Sequence, residues 1–186
     1  LADIEELFVQ PASSDAGISL GAAYLASVEE GFLPETMTHV FYGNNFTDEE
    51  IEQTLKNCRI AYSKTTNVEE EAAKALAENK VIGWFQGRME FGPRALGNRS
   101  ILANAGAENM QAIVNQKVKF REGFRPFGAS VLEEDFCIYF ESDCRQAPFM
   151  TKVFDVKPAY QSKLKACTHA DGTCRVQTVN ERQNKK

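Results

Sequence analysis

Residues 81–100 read VIGWFQGRMEFGPRALGNRS, and this stretch decides the class of fold that the sequence specifies. Its first five residues are apolar and favour a buried β-strand. The residues that follow are irregular and rich in Gly and Arg, so the strand should lead directly into a loop. A strand that ends in a donor-rich loop is a common position for phosphate sites in α/β folds. The sequence therefore predicts an α/β protein with a functional loop after this strand.

The window from Gln86 to Arg125 is a cationic region on an acidic chain. It holds seven basic and three acidic residues, a net charge of +4, whereas the whole chain carries −5. Arginine presents a planar fork of donors that fits phosphate and carboxylate oxygens, and glycine lets the backbone approach a ligand closely. We therefore expect a pocket for a small anion. Nucleic acid is disfavoured, because its binding needs a broadly basic surface.

The loop itself is interpreted as an anion cradle in which Arg94 and Arg99 contact phosphate oxygens. Its turns are expected to be shaped by three glycines: Gly87, Gly92 and Gly97. The alternative is a set of structural ion pairs, for instance Arg88 with Glu90. Three arginines within so irregular a segment favour the cradle, since a backbone rich in donors needs an anion.

Two further segments carry concentrated chemistry. Residues 117–126, KVKFREGFRP, are broken by Phe and Gly and cannot form one regular surface helix. Their aromatic residues are also compatible with stacking on nucleotide bases. Residues 169–175, HADGTCR, combine a titratable His with Asp, Thr and an Arg able to hold phosphate. An ordinary turn between two strands explains this second segment equally well. Two roles remain for Asp15: it caps a helix, or it neighbours a bound metal or phosphate.

Elsewhere, helical and strand-like patterns alternate along the chain. The predicted strands cover residues 5–10, 59–62, 81–85, 129–132, 149–154 and 175–179. The predicted helices cover residues 18–26, 47–57, 67–79 and 107–119. The second begins with a capping box from Thr47 to Glu50, and the third has Asn at each end. Gly17 and Gly21 are expected to permit close approach of a neighbour. Residues 31–46 lack periodicity and indicate a linker with a few aromatic anchors.

The cysteines and the hydropathy indicate where in the cell the protein is expected. The five cysteines are Cys58, Cys137, Cys144, Cys167 and Cys174. An odd number without a secretory signal favours reduced thiols and a cytoplasmic location. Their spacing is not that of a structural zinc site, so we interpret them as packing or incidental thiols. No apolar run approaches the roughly 20 residues that span a bilayer, and no membrane association is expected.

Three motifs in order resemble the O-carbamoyltransferases of nodulation-factor and antibiotic biosynthesis: residues 87–102, 115–127 and 168–179. Residues 11–23 resemble the end of that family's N-terminal domain, which has the actin/hsp70-like (ASKHA) fold. The resemblance implies that residues 1–33 are the C-terminal remnant of this domain and that residues 34–46 are a linker. It implies that residues 47–186 are a YrdC-like domain, truncated at its C-terminus, with a twisted mixed sheet and flanking helices.

The resemblance also implies a two-step reaction. The YrdC-like domain would form carbamoyl adenylate from carbamoyl phosphate and ATP, and the ASKHA domain would transfer the carbamoyl group to a hydroxyl of a sugar or antibiotic-like acceptor. Catalytic roles are implied for Arg94, Lys119, Arg125 and Arg175. Substrate contacts are implied for Arg88, Arg99, Ser100, His169, Asp171 and Thr173. Asp15 matches a metal-associated acid of the family.

The same resemblance sets the expected cofactors and partners. The cofactors are Mg²⁺ with ATP, and Fe or a similar metal in the ASKHA domain. The partner is the acceptor, bound by the N-terminal part. The resemblance is also compatible with a homodimer. The family's histidine metal ligands and a later Asn-Thr-Ser-Phe-Asn segment are absent from this sequence, so the piece alone is expected to be inactive or incomplete. Two alternatives stay open. One is a nucleotide- or RNA-binding module without catalysis. The other is a carbamoyl or threonylcarbamoyl activator serving a hydrogenase-maturation thiol or a tRNA adenosine, against which the Asp15 segment argues.

Overall fold

Three α-helices come first in the computed structural model, which describes residues 8–142 and 146–183. They are α1 (Asp15–Glu29), α2 (Asp48–Asn57) and α3 (Val68–Ala77). The predicted capping box of α2 is confirmed, because Glu50 N–H donates to Thr47 Oγ1 at 3.2 Å and Thr47 N–H donates to the Glu50 carboxylate at 2.8 Å. Asn67 precedes α3 without a side-chain capping bond. Asn79 follows it with φ of 61°, a left-handed conformation that stops the helix.

Gly17 lets the start of α1 pack against the turn that precedes it. A Cβ atom at Gly17 would lie 2.1 Å from the carbonyl oxygen of Ala12, whereas one at Gly21 would meet nothing within 4 Å. The predicted close approach is therefore confirmed for Gly17 and wrong for Gly21, which faces open space.

Alanine substitutions at these two glycines should change stability in opposite directions. Gly21→Ala should raise the free energy of unfolding by about 0.5–1 kcal/mol, because Ala is the better helix former. Gly17→Ala should lower it by about 1–3 kcal/mol, because the added methyl group collides with backbone. Urea denaturation of both variants checks this, and shifts of the same sign would contradict the packing described here.

The predicted strand at residues 81–85 forms as part of a β-hairpin. Strands β1 (Ile82–Phe85) and β2 (Arg99–Leu102) pair antiparallel, with Phe85 opposite Arg99. The strand is not buried as expected, since its side chains alternate between half-buried and exposed and Phe85 is 43% exposed. A two-stranded hairpin has only one covered face, which explains the difference. The hairpin encloses the cationic loop, residues 86–98.

A four-stranded mixed sheet forms the second half of the fold and confirms the predicted α/β class with a mixed sheet. Its strands are β3 (Gly128–Leu132), β4 (Phe140–Glu141), β5 (Val153–Val156) and β6 (Thr173–Val179). Their order is β3-β6-β5-β4, with β3 parallel to β6 and the other pairs antiparallel. Gly128 lies opposite Arg175. Because side chains alternate along a strand, β6 directs Cys174 and Val176 to one face and Arg175 and Gln177 to the other.

The main core lies beneath the Cys174 face of this sheet. Its aromatic centre is Phe136, on the short helix α5 (Phe136–Tyr139). The Phe136 ring packs edge-on against the Phe154 ring, with centroids 4.9 Å apart. Cys167 and Cys174 belong to this cluster as free, buried thiols, which confirms the packing interpretation for these two residues. Cys58 and Cys137 are also free thiols, and Cys144 lies outside the described residues.

A second, smaller cluster covers the other face of the sheet. It consists of Val40, Leu96 and Phe149, each at most 5% exposed. Val40 belongs to the segment 34–46, which contains no helix or strand and is anchored here by this side chain. Within the described residues, no helix combines the length and apolar character needed to cross a bilayer.

Several predicted elements differ in the structure. Residues 59–62 form no strand, because Arg59 has φ of 54° and Ile60 N–H bonds back to Leu55, so that they complete the end of α2. Residues 8–10 are likewise not a strand, and residues 5–7 lie outside the described part of the chain. Strand β5 begins at Val153, after a turn. The helix predicted over 107–119 is α4 (Met110–Ile113), which continues as a π-helix over Val114–Val118.

Candidate anion-binding site

Glu90 organises the cationic loop from the inside. Its side chain is 8% exposed, and its Oε1 atom accepts hydrogen bonds from the backbone N–H groups of Leu96, Asn98 and Arg99 at 2.7, 3.0 and 3.1 Å. The predicted turns at Gly87, Gly92 and Gly97 are confirmed, since all three have positive φ. The loop's own carboxylate thus satisfies backbone donors that the cradle interpretation assigned to an external anion.

Three of the predicted contact residues support the loop and do not line a cavity with Arg94. Arg88 donates from Nε and Nη2 to the carbonyl groups of Gly43 and Tyr42, both at 3.0 Å, so it does not form the alternative ion pair with Glu90. Ser100 Oγ accepts from Gly97 N–H at 2.9 Å. Arg99 is exposed, and its Nη1 lies 3.8 Å from a methionine sulfur. These contacts hold the loop's shape.

Gln177 brings the loop onto the sheet, and this contact places two arginines together. Gln177 Nε2 donates to the carbonyl of the buried Leu96 at 2.7 Å, and Ser130 Oγ donates to Gln177 Oε1 at 3.0 Å. Arg94 comes two residues before Leu96, and Arg175 comes two residues before Gln177 on the same face of β6. Arg94 and Arg175 consequently line one cavity of about 290 Å³.

The electrostatics of this cavity are those of an anion site. Burial lowers the pKa of Arg175 below its ordinary value, and the nearby charges of Arg94 and Arg121 lower it further. Arg175 Nε is buried without a hydrogen-bond partner in the described part of the chain. Within residues 8–142 and 146–183, none of these three arginines forms an ion pair. Clustered cations without acids are stabilised by a bound anion.

Asn115 builds the neighbouring segment 117–126. It is fully buried, its Nδ2 donates to the carbonyls of Gly123 and Arg125 at 3.2 and 2.9 Å, and its Oδ1 accepts from Arg121 Nε at 2.7 Å. The Arg121 guanidinium lies 4.7 Å above the ring centre of Phe127. Since Phe127 directly precedes the residue opposite Arg175, this segment lies at the Arg175 end of the sheet.

The two other predicted catalytic cations occupy the segment without lining the cavity. Lys119 and Arg125 are both exposed, and Arg125 Nε lies 2.9 Å from the carboxylate of Glu122. The structure therefore brings Arg94 and Arg175 to one cavity with the charge of Arg121 nearby, and leaves Lys119 and Arg125 exposed outside its lining. Sequence reasoning missed the positioning residues Glu90, Asn115 and Gln177, although each of them lies inside one of the three motifs.

The segment 169–173 is a closed turn. Asp171 Oδ1 accepts from the backbone N–H and the hydroxyl of Thr173 at 3.0 and 2.8 Å, and His169 Nδ1 lies 3.0 Å from the same hydroxyl. These backbone and side-chain bonds from Thr173 lower the pKa of Asp171. The three side chains thus bond to one another, as the turn interpretation expects, and none of them lines the arginine cavity.

Asp15 is the first residue of α1 and is exposed. Over the described ranges, no group of three or more His, Cys, Asp or Glu side chains is placed to hold a metal ion. The metal role expected for Asp15 therefore does not fit the residues described, and no step is assigned to a metal.

The fold and the cavity define an α/β protein in which Arg94 and Arg175, without ion pairs among the described residues, line one cavity. The family model described as Carbamoyltransferase C-terminus matches residues 73–186. The chain belongs to the carbamoyltransferase family, a family of transferases, and covers the C-terminal part.

Several relatives match nearly the whole chain. Nodulation protein NolNO of Sinorhizobium fredii is 46% identical over 97% of this chain and 28% of its own length. Nodulation protein NolO of Bradyrhizobium diazoefficiens is 43% identical over 97% of this chain and 34% of its own length. Nodulation protein U of Rhizobium fredii is 34% identical over 98% of this chain. The chain thus spans about a third of the length of the curated relatives that it matches.

Proposed function

We propose that this chain is the activating part of an O-carbamoyltransferase, which forms carbamoyl adenylate from carbamoyl phosphate and ATP. The observation that carries the proposal is the convergence of Arg94 and Arg175 on one cavity, with the charge of Arg121 nearby and no acidic partner among the described residues. Membership of the carbamoyltransferase family supports the same conclusion.

The chemistry suits such a cavity. The balanced reaction takes up one water and releases one phosphate and one pyrophosphate for each carbamoyl adenylate formed. Both substrates bring phosphate oxygens, which the forked guanidinium groups bind in two-point geometry. Arginines fixed in place orient the reacting groups and stabilise the charge that develops during transfer. Lys119 and Arg125 add exposed positive charge on segment 117–126, which favours the approach of the phosphates.

Transfer of the carbamoyl group to an acceptor hydroxyl belongs to the same proposal. The acceptor would be a sugar or an antibiotic-like compound, held by other parts of the protein. The described residues contribute the activation step alone.

Release of phosphate and pyrophosphate by the intact protein tests the activation step. We expect pyrophosphate release from ATP only when carbamoyl phosphate is present, in a 1:1 ratio with phosphate. Arg94→Ala should lower it about 10²- to 10³-fold, because it removes a phosphate donor from the cavity, and Lys119→Ala should lower it by less, because Lys119 lies outside the cavity lining. Lys64→Ala is the matched control, since Lys64 pairs with Glu52 on an exposed surface. Release that needs no carbamoyl phosphate, or full rates in both variants, would refute the proposal.

A nucleotide- or RNA-binding module is the second candidate, favoured by the exposed rings of Phe120 and Phe124 between the cations of segment 117–126. It predicts tight RNA binding in a filter assay that weakens steeply with salt and does not respond to carbamoyl phosphate. Binding that carbamoyl phosphate abolishes would count against it.

A further inference from the structure

Phe120 occupies a backbone position that glycine usually takes. Its φ is 48°, in the left-handed region that bulky residues rarely adopt. Lys119 N–H bonds to the Val114 carbonyl at 2.9 Å and Arg121 N–H bonds to the Asn115 carbonyl at 3.0 Å, so Phe120 forms the turn that closes the π-helix. Helix ends of this kind favour Gly or Asn. A phenylalanine here therefore costs stability.

Packing within the described residues does not offset this cost. The Phe120 side chain is 84% exposed, and that of Phe124, four residues later, is 81% exposed. No aromatic or cation–π pair among the described residues involves either ring. Strained residues with exposed apolar groups are typical of binding sites, where the ligand makes the contact that folding does not.

The segment that carries the two rings lies at the Arg175 end of the sheet. Arg121, between them in the sequence, is close enough to Arg175 for the two charges to interact, and its guanidinium lies over Phe127, which adjoins the residue opposite Arg175. The buried Asn115 holds the backbone of Gly123 and Arg125 in place. The segment thus offers two exposed planar apolar surfaces at the end of the sheet where Arg175 lies. A nucleotide combines both features, since its phosphates match the cations and its base matches an aromatic ring.

We propose that Phe120 and Phe124 form a stacking platform for the adenine base of ATP, whose phosphates lie on the arginines. This inference rests on the proposed function, and it commits the aromatic residues of segment 117–126, which the sequence left compatible with base stacking, to the base of ATP. Phe120 is then retained for ligand binding at the expense of stability.

Calorimetric titration of the intact protein with ATP and with inorganic tripolyphosphate tests the platform, because tripolyphosphate has the phosphates without the base. We expect Phe120→Gly to weaken ATP binding roughly tenfold and Phe124→Leu to weaken it several-fold, the scale of one lost base–aromatic stack. Tripolyphosphate affinity should not change. Phe120→Gly should also raise Tm by about 2–4 °C, since it relieves the backbone strain. A purely structural role would not move affinity and stability in opposite directions.

Two control variants sharpen the result. Phe120→Tyr keeps the ring and should keep ATP affinity. Phe46→Leu removes another exposed ring, 44% exposed and 6.1 Å from the Phe85 ring, and should leave ATP affinity unchanged.

Four outcomes would overturn the platform. Equal ATP affinity in the parent protein and Phe120→Gly would do so while leaving the proposed function intact. A lower Tm for Phe120→Gly would show that the ring packs against another part of the protein. Single-stranded RNA that binds more tightly than ATP, and loses affinity in the same variant, would assign the rings to RNA. Failure of both ATP and tripolyphosphate to bind would reject the platform and the proposed function together.

Discussion

Arg175→Ala should lower carbamoyl-phosphate-dependent release of pyrophosphate about 10²- to 10³-fold, the usual effect of removing one fixed donor from developing charge. The same change should leave the protein at least as stable as before. Arg175 is half-buried, its Nε has no partner in the described residues, and the charges of Arg94 and Arg121 lie nearby. Removing it therefore relieves repulsion between like charges when no ligand is bound.

Arg175→Lys separates charge from geometry. Lysine keeps the positive charge but lacks the planar fork, so we expect a loss of roughly tenfold in kcat/KM. Arg182→Ala, which removes an exposed arginine just beyond β6, is the control and should keep full activity. Rates are followed by coupled detection of pyrophosphate and stability by thermal unfolding. Full activity in Arg175→Ala, or a large loss of stability with it, would contradict the role given to this arginine.

Glu90→Ala should produce the largest loss of stability among the substitutions considered, about 3–5 kcal/mol in the free energy of unfolding. One carboxylate oxygen of Glu90 accepts three backbone hydrogen bonds. Leaving buried N–H groups without an acceptor costs about 1–3 kcal/mol each, partly recovered when water enters. Because the same loop carries Arg94, activity should be lost with the fold of the loop.

Urea denaturation of paired variants tests the role of Glu90. Glu90→Gln keeps an acceptor oxygen without the charge, so it should lose only about 1–2 kcal/mol. Glu108→Ala is the control, because Glu108 forms an exposed ion pair with Lys165, and its denaturation midpoint should not change. A midpoint for Glu90→Ala equal to that of the parent protein would contradict the internal-anion role.

Local signals predicted the elements whose causes are local. The capping box at Thr47, the left-handed Asn79 and the strands around residues 82–85, 128–132 and 173–179 follow from residues adjacent in the chain. The segment 59–62 has strand-like composition, but its backbone completes the end of α2, and no strand in the described part of the chain pairs with it. The expected burial of β1 failed for a related reason, since burial depends on what covers a strand.

The sequence alone determined the family, the α/β class and the residues that carry positive charge, because motifs and alternation of side chains are properties of neighbouring residues. Only the tertiary structure decided which arginines lie together. Gln177 bonds to the carbonyl of Leu96 across 81 positions of the chain, and that contact sets Arg94 beside Arg175. The tertiary structure also showed that Arg88 donates to backbone carbonyls and that the Glu90 carboxylate serves as the loop's own anion. Such long-range contacts depend on how sheets and loops pack, so no local sequence pattern predicts them.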